Sequence, residues 1–165
     1  MSASKNRFVF GTGIARFAFW LSLLLLSTNT ETAAQNFWQQ TNGPYGGDIL
    51  SLAINDSNGY IFAAAYGGGV FRFTDNGGSW TAVNTGLTDL YVEALAINSS
   101  GHIFAGTARG GGIFRSIDNG GSWMPVNTGL TNLDVKALAI NPTTRDIFAG
   151  TFNGGVFRST NNGDS

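Results

Sequence analysis

The sequence predicts an all-β fold, a β-propeller built of blades of four antiparallel strands. Three observations carry this. A block of about 43 residues occurs about three times. Each block holds four short apolar stretches parted by clusters of Gly, Asn, Asp and Ser, the pattern of a blade. Glycine is 24 of 165 residues, about twice the average usage of ~7%, aromatics are 13% and charged residues only 12%. Many turns and aromatics with few charges favour strands over helices, and no segment keeps a 3.6-residue apolar period long enough for a stack of helices.

The repeat is read by comparing the chain with itself. Leu52-Ala53-Ile54-Asn55 returns as Leu95-Ala96-Ile97-Asn98 and Leu138-Ala139-Ile140-Asn141, in steps of 43. Phe71-Arg72, Phe114-Arg115 and Phe157-Arg158 keep that step, as do Trp80 and Trp123, and Asn84-Thr85-Gly86-Leu87 returns as Asn127-Thr128-Gly129-Leu130. In the middle block the first strand is expected at Glu93–Asn98, the second at Ile103–Thr107, the third at Gly112–Ser116 and the fourth at Trp123–Asn127. Asn-Gly and Gly-rich turns separate them, the strongest short hairpin signal. Small insertions and deletions fall in the turns, and the Arg109 loop is one residue longer than its two counterparts.

The organisation expected is an export signal over 1–34 and a partial propeller over 35–165. Lys5, Arg7 and Arg16 precede the apolar run Phe17–Leu26, and Ala33-Ala34 supply small residues before a cleavage point, the layout of a secretory signal. The localisation expected is secreted, periplasmic or cell surface, with membrane contact only during export. Residues 48–85 and 91–128 are expected as full blades and 134–165 as a shortened one. Residues 37–42 (Phe37-Trp38-Gln39-Gln40-Thr41-Asn42) line up with the fourth strand that starts at Trp80, and are expected as an orphan strand that closes the last blade. With about three blades the ring is incomplete. The expectation is an N-terminal fragment of a longer propeller, its remaining blades on a longer chain or on other subunits.

Composition narrows the chemistry. Beyond residue 34 the chain carries six basic and nine acidic side chains, so no basic track follows a phosphate backbone and nucleic acid is not an expected partner. There is no cysteine, which excludes disulfides, thiolate metal sites and a cysteine nucleophile. The single histidine, His102, falls in a first-to-second-strand turn where a surface role is expected. No metal, cofactor or catalytic residue is assigned.

The turn after the third strand carries the most specific motif. Ser116-Ile117-Asp118-Asn119-Gly120-Gly121-Ser122-Trp123 follows Ser-x-Asp-x-Gly-x-Ser/Thr-Trp; Phe73 to Trp80 follows it except for Phe73, and Ser159 to Ser165 has Asn161 in place of Asp. This resembles the Asp-box, or bacterial neuraminidase repeat, of sialidase-like propellers, and the resemblance covers about residues 37–165. The residues concerned are Asp75, Gly77, Trp80, Asp118, Gly120, Trp123, Asn161 and Gly163. The role expected for them is structural: the carboxylate takes backbone N–H groups, the glycine takes a positive φ, and the Trp drops its ring onto the blade and pins its hairpin.

The resemblance extends to sialidases, xyloglucanase-type glycoside hydrolases, photosystem II assembly-factor-like propellers and the sortilin luminal domain; the Gly-Gly-Val-Phe-Arg stretches resemble propeller sensor domains of two-component regulators. It implies a fold shared by enzymes and binders alike. Ligands are expected on the face opposite these turns, where the loops between second and third strands differ from blade to blade. The candidates are Tyr66, Arg109, Phe152 and Asn153, groups able to hold a glycan, peptide or protein partner. Arg72, Arg115 and Arg158 occupy equivalent positions, which excludes a converging carboxylate-binding triad. Asp48, Asp89 and Asp134 lie on the ligand face, yet no pair is set for hydrolysis. The expected function is therefore an exported non-catalytic binding module, with the N-terminal part of a glycoside hydrolase and a sensor domain as alternatives.

Overall fold

The computed structural model describes residues 38–74 and 78–164. Residues 1–34, expected as an export signal, and Phe37, Asp75 and Gly77 lie outside the described residues. No helix occurs among the described residues, so none there is long and apolar enough to cross a membrane.

Among the described residues eleven strands form three antiparallel sheets. The first blade contains β1 (Ile49–Ile54), β2 (Ile61–Ala65), β3 (Gly69–Phe73) and β4 (Thr81–Ala82). The second contains β5 (Val92–Ile97), β6 (Ile103–Thr107), β7 (Ile113–Ser116) and β8 (Met124–Pro125), and the third β9 (Val135–Ile140), β10 (Ile147–Thr151) and β11 (Gly155–Ser159). Within each sheet the strands pair in sequence order, as hairpin turns of a few residues require. β5 packs beside β1 on one side and β9 on the other. The described residues form three blades of an incomplete β-propeller.

Two details differ from the pattern read in the sequence. The innermost strand of every blade carries a register shift, at Ile49/Ser51, Val92/Ala94 and opposite Gly150/Thr151. Each shift inserts one residue (Leu50, Glu93 or Lys136) that has no ladder partner, which is a β-bulge. The outermost strand is two residues long, not the five of Trp123–Asn127. Trp123 turns towards the preceding blade, Pro125 has no N–H to give, and the Asn127 amide takes over: its Oδ1 accepts the Ile113 N–H at 2.7 Å and its Nδ2 donates to Gly111 O at 2.9 Å. Asn84 does the same for Val70 and Gly68. Gly112 has φ +78 and a Cβ there would run into the Asn127 amide, so both the turn and the close approach require glycine.

The core lies between blades as much as within them. Phe62, Val70 and Val83 of the first blade pack with Val92, Leu95, Ile103, Phe114 and Trp123 of the second in one buried cluster. A second cluster joins Phe104 and Ile113 to Val135, Ile147 and Ala149 of the third blade. The free faces show what a neighbour contributes. Leu95 is 7% exposed whereas Leu52, one repeat earlier, is 63% exposed; Val70 is 0% exposed whereas Val156, its counterpart in the third blade, is 72% exposed.

Thr41 and Asn42 lie against the first blade. Asn42 forms a parallel bridge with Ser79, and Trp80 Nε1 donates to Thr41 Oγ1 at 3.3 Å.

Candidate functional site

The turn residues come together in every blade where they are described. Ser116 Oγ accepts the Gly120 N–H at 2.8 Å and donates to Asp118 Oδ1 at 2.8 Å; Asp118 Oδ1 accepts the Ser122 N–H at 2.9 Å and Oδ2 the Ser122 hydroxyl at 2.7 Å. These bonds, the Ser122 N–H first, hold the Asp118 carboxyl below its ordinary pKa. Asn119 (φ 58) and Gly120 (φ 84) sit between the Gly121 N–H and the Asp118 carbonyl that accepts it, the geometry of a type I′ turn. Ser159, Asn161, Asn162 and Gly163 repeat this arrangement, with Gly163 N–H on Ser159 Oγ at 2.8 Å.

Trp123 reaches beyond its own blade. Its ring lies in one buried cluster with Ile103, Ala105 and Phe114 of its own blade and Phe62, Val70 and Val83 of the preceding blade, and its Nε1–H donates to Val83 O at 2.7 Å. The physical reason is that the two outer strands approach each other closely there: the Trp123 N–H donates to Thr85 O, and Gly86 meets the Trp123 carbonyl where a Cβ would stand. The repeated arginines complete the junction. Arg72 Nη1 donates to Asn119 O at 2.7 Å and Arg115 Nη1 to Asn162 O at 2.8 Å, each reaching the next blade's turn. Asn55 and Asn98 are buried and donate to Asn119 Oδ1 and Asn162 Oδ1. Asn55-Asp56-Ser57 and Asn98-Ser99-Ser100 have the form of glycan acceptors, and this burial leaves both Asn side chains without access for a glycan. His102 is half-buried in this region, with its N–H on Asn98 Oδ1 at 3.0 Å, rather than fully on the surface.

The opposite end of the blades holds the variable residues. Tyr66, after β2, meets Tyr91, before β5, edge to face with ring centroids 5.0 Å apart. Arg109, in the β6–β7 loop, stacks its guanidinium 3.6 Å from the Tyr91 ring centre. A hydrogen bond to Tyr66 is the main influence raising the Arg109 pKa, with Tyr91 and Asp89 adding to it. The guanidinium keeps an exposed edge. Asp89 organises the backbone below, accepting the N–H groups of Tyr91 at 3.0 Å and of Arg109 and Gly111 at 3.2 Å.

Phe152 and Asn153 are not part of that cluster. They lie at the next junction, where Lys136 Nζ sits 5.8 Å from the Phe152 ring and contacts Glu93 at 2.9 Å and Asp134 at 3.0 Å. Asn153 adopts φ 56 in its turn. Among the described residues no three His, Asp or Glu side chains gather as a metal site would require. The sequence reading missed Tyr91. The signal for it is a break in the repeat: Tyr91 stands one step of 43 from Asp48 and from Asp134.

No protein-family model matches the chain, and no curated protein sequence matches it. Solved structures do. The extracellular domain of the hybrid two-component system BT4673 from B. thetaiotaomicron is similar, with TM-score 0.57 and 16% identity over 74% of this chain and 16% of that one. The WD40 β-propeller domain of Doa1 gives TM-score 0.57 and 15% identity over 73% and 38%. A chain of the nidogen/laminin complex gives 0.53 and 18% over 64% and 40%. At these identities the likeness is one of fold, and this chain spans well under half of each of these neighbours.

Proposed function

We propose that the chain is an exported, non-catalytic β-propeller module, with Asp-box turns as its structural frame, that binds a glycan, peptide or protein partner through a carboxylate. The observation that carries this is the Tyr66–Tyr91–Arg109 cluster. Two aromatic rings give a flat apolar platform suited to a sugar or side-chain face, and an Arg held by one of them presents donors in a fixed fork that matches a carboxylate. Pre-ordering of Arg109 by stacking lowers the entropy lost on binding. Phe152 and Asn153 would extend the contact surface along the same end. Of the carboxylates at this end, Asp89 is committed to three backbone N–H groups and Asp134 to Lys136, which leaves Asp48 single where hydrolysis needs a pair. For that reason the glycoside-hydrolase alternative gains no support.

The test is titration calorimetry of the 165-residue chain with acidic oligosaccharides and acidic peptides. Arg109→Ala is expected to weaken the binding seen by about tenfold or more, the cost of a lost charged hydrogen bond. Arg145→Ala, at the opposite end, is expected to leave it unchanged. Absence of binding to either class, or equal loss with both variants, would refute the assignment.

A second reading is favoured by the likeness to the BT4673 extracellular domain: a propeller sensor domain, working outside the cell. Coding DNA that places a transmembrane helix and a kinase in the same reading frame would decide for it.

A further inference from the structure

A pocket of about 210 Å³ opens against the inner strands of three consecutive blades, at the end opposite the Tyr66–Tyr91–Arg109 cluster. Ile54, Ile97 and Ile140, the last residues of β1, β5 and β9, give it an apolar wall. The turns that follow those strands form its rim. Each turn begins with the repeated Asn, and each closes with an N–H on that Asn's carbonyl: Gly59 on Asn55 at 2.8 Å, Gly101 on Asn98 at 2.9 Å and Arg145 on Asn141 at 2.8 Å.

The repeat breaks at two points of this rim, and both carry charge. Asp56 of the first blade stands where the second has Ser99 and the third Pro142. Arg145 of the third blade stands where the other two have Gly59 and Gly101. That position is left-handed in every blade, with φ 74, 79 and 66. Glycine takes such a backbone freely, whereas a residue with a Cβ is strained there. An arginine kept against the turn's own preference indicates a duty outside the frame. Gly101 supplies the direction of its side chain, since a Cβ built there meets Asn55 and Ser57 of the preceding blade. By the same geometry Arg145 is set towards the second blade, across a junction that the described residues contain in full.

The two charges are also unspent. Among the described residues every other Lys or Arg has a partner: Arg72 and Arg115 on the next blade's turn, Arg109 on Tyr91, Lys136 on Glu93 and Arg158 near Asp146. Neither Arg145 nor Asp56 makes an ion pair, with each other or with any other described residue.

We propose that this pocket binds a short zwitterionic peptide of two or three apolar residues. Its carboxylate meets the Arg145 fork, its ammonium meets Asp56, and its side chains lie on the isoleucines. Ser99, between the two charges, faces the peptide groups. A ligand that is only anionic is repelled by Asp56, and one that is only cationic by Arg145. The charges come from the first and third blades with the second between them, so the ligand's ends must stand further apart than the two groups of a single amino acid, which share one carbon.

The test is titration calorimetry of the full chain with leucyl-leucine, its N-acetyl form and its C-terminal amide. Each block is expected to weaken binding by about tenfold or more, the loss of one charged hydrogen bond. Arg145→Gly gives the turn the residue that the other two blades use. It is expected to melt no lower than the parent chain, to weaken leucyl-leucine by about as much as amidation does, and to bind acid and amide alike. Asp56→Asn is expected to remove the difference between the free and the acetylated amine. Arg109→Ala, at the other end, is expected to leave the affinity unchanged, so this result stands or falls apart from the carboxylate reading of that cluster. No binding of leucyl-leucine at millimolar concentration, equal binding of the blocked forms, full affinity in Arg145→Gly, or a loss in Arg109→Ala equal to that in Arg145→Gly would each overturn the proposal.

Discussion

Replacing Trp123 by Phe tests whether the junction between blades is a structural unit. The indole is 5% exposed, and its N–H is the partner of the Val83 carbonyl at 2.7 Å. Phe keeps a ring in the cluster but leaves that carbonyl without a donor, at about 1–3 kcal/mol. The smaller ring also leaves part of a cavity, so the expected total is about 2–4 kcal/mol, and Trp123→Ala should cost about 3–5. Against a typical total stability of about 5–15 kcal/mol, either change is large. Trp80 provides the control within the same molecule. Its N–H reaches an exposed hydroxyl at 3.3 Å, a bond that water can replace, so Trp80→Phe should cost less than about 1 kcal/mol. The assay is urea unfolding followed by circular dichroism, since each substitution alters the tryptophan fluorescence itself. Equal losses at the two positions, or a loss under about 0.5 kcal/mol for Trp123→Phe, would refute the argument that the tryptophan bonds blade to blade.

Two further outcomes follow from the same frame. The Asp118 carboxyl is held below its ordinary pKa by the Ser122 N–H and hydroxyl, so its contribution is present above the unfolded value near 3.9 and is lost as pH falls through the lower folded value. Asp118→Asn, the residue that the third turn already has at Asn161, should flatten stability against pH in that acid window and change it little in slope near neutrality; an unchanged acid profile would contradict this. Arg72→Ala removes the 2.7 Å bond to Asn119 O and should cost about 1–2 kcal/mol. Arg158→Ala, where the side chain is 59% exposed and only 3.6 Å from Asp146, should cost at most about 1; thermal melts of the two variants that coincide would show that the repeated arginine does not join blades.

The blade pattern was legible because it is written in the sequence more than once. Leu-Ala-Ile-Asn, Phe-Arg and Asn-Thr-Gly keep their spacing, and the Leu-Ala-Ile and Phe-Arg stretches take equivalent points of the ladders in all three blades. What the sequence left hidden is which partner a repeated residue meets. Trp123, Arg72 and Asn55 look like elements of their own blade because their neighbours in sequence are there. Each also donates to a residue about 40–64 positions away, and no local period reports such a contact. The short fourth strand was hidden for the same reason, since the Asn127 side chain replaces ladder bonds that the backbone of Trp123–Asn127 was expected to make. Tyr91 is hidden because it lies outside the Gly-rich loops, and its signal is the loss of an aspartate from an otherwise acidic position in the connections.

Repetition also separates frame from function along this chain. Residues that recur serve the frame: Asn55 and Asn98 after the inner strands and Arg72 and Arg115 of the third strands bond to the next blade's turn, while Asn84 and Asn127 clamp the Gly-rich loops of their own blades. Substituting one would disturb a junction or a loop. Tyr66, Tyr91 and Arg109, which do not recur, gather at the other end, and there the backbone tolerates change. The Arg109 loop is one residue longer than its counterparts, yet the Asn127 amide still holds Gly111 and Ile113 just as Asn84 holds Gly68 and Val70. The extra residue is absorbed above that clamp, where Gly110 (φ +91) has open space around it. The insertion is therefore silent to the stack and visible only at the surface, where it sets Arg109 over Tyr91. A position free of structural duty, carrying a charge that two aromatic rings hold in place, is where selection for a ligand can act without loosening the fold.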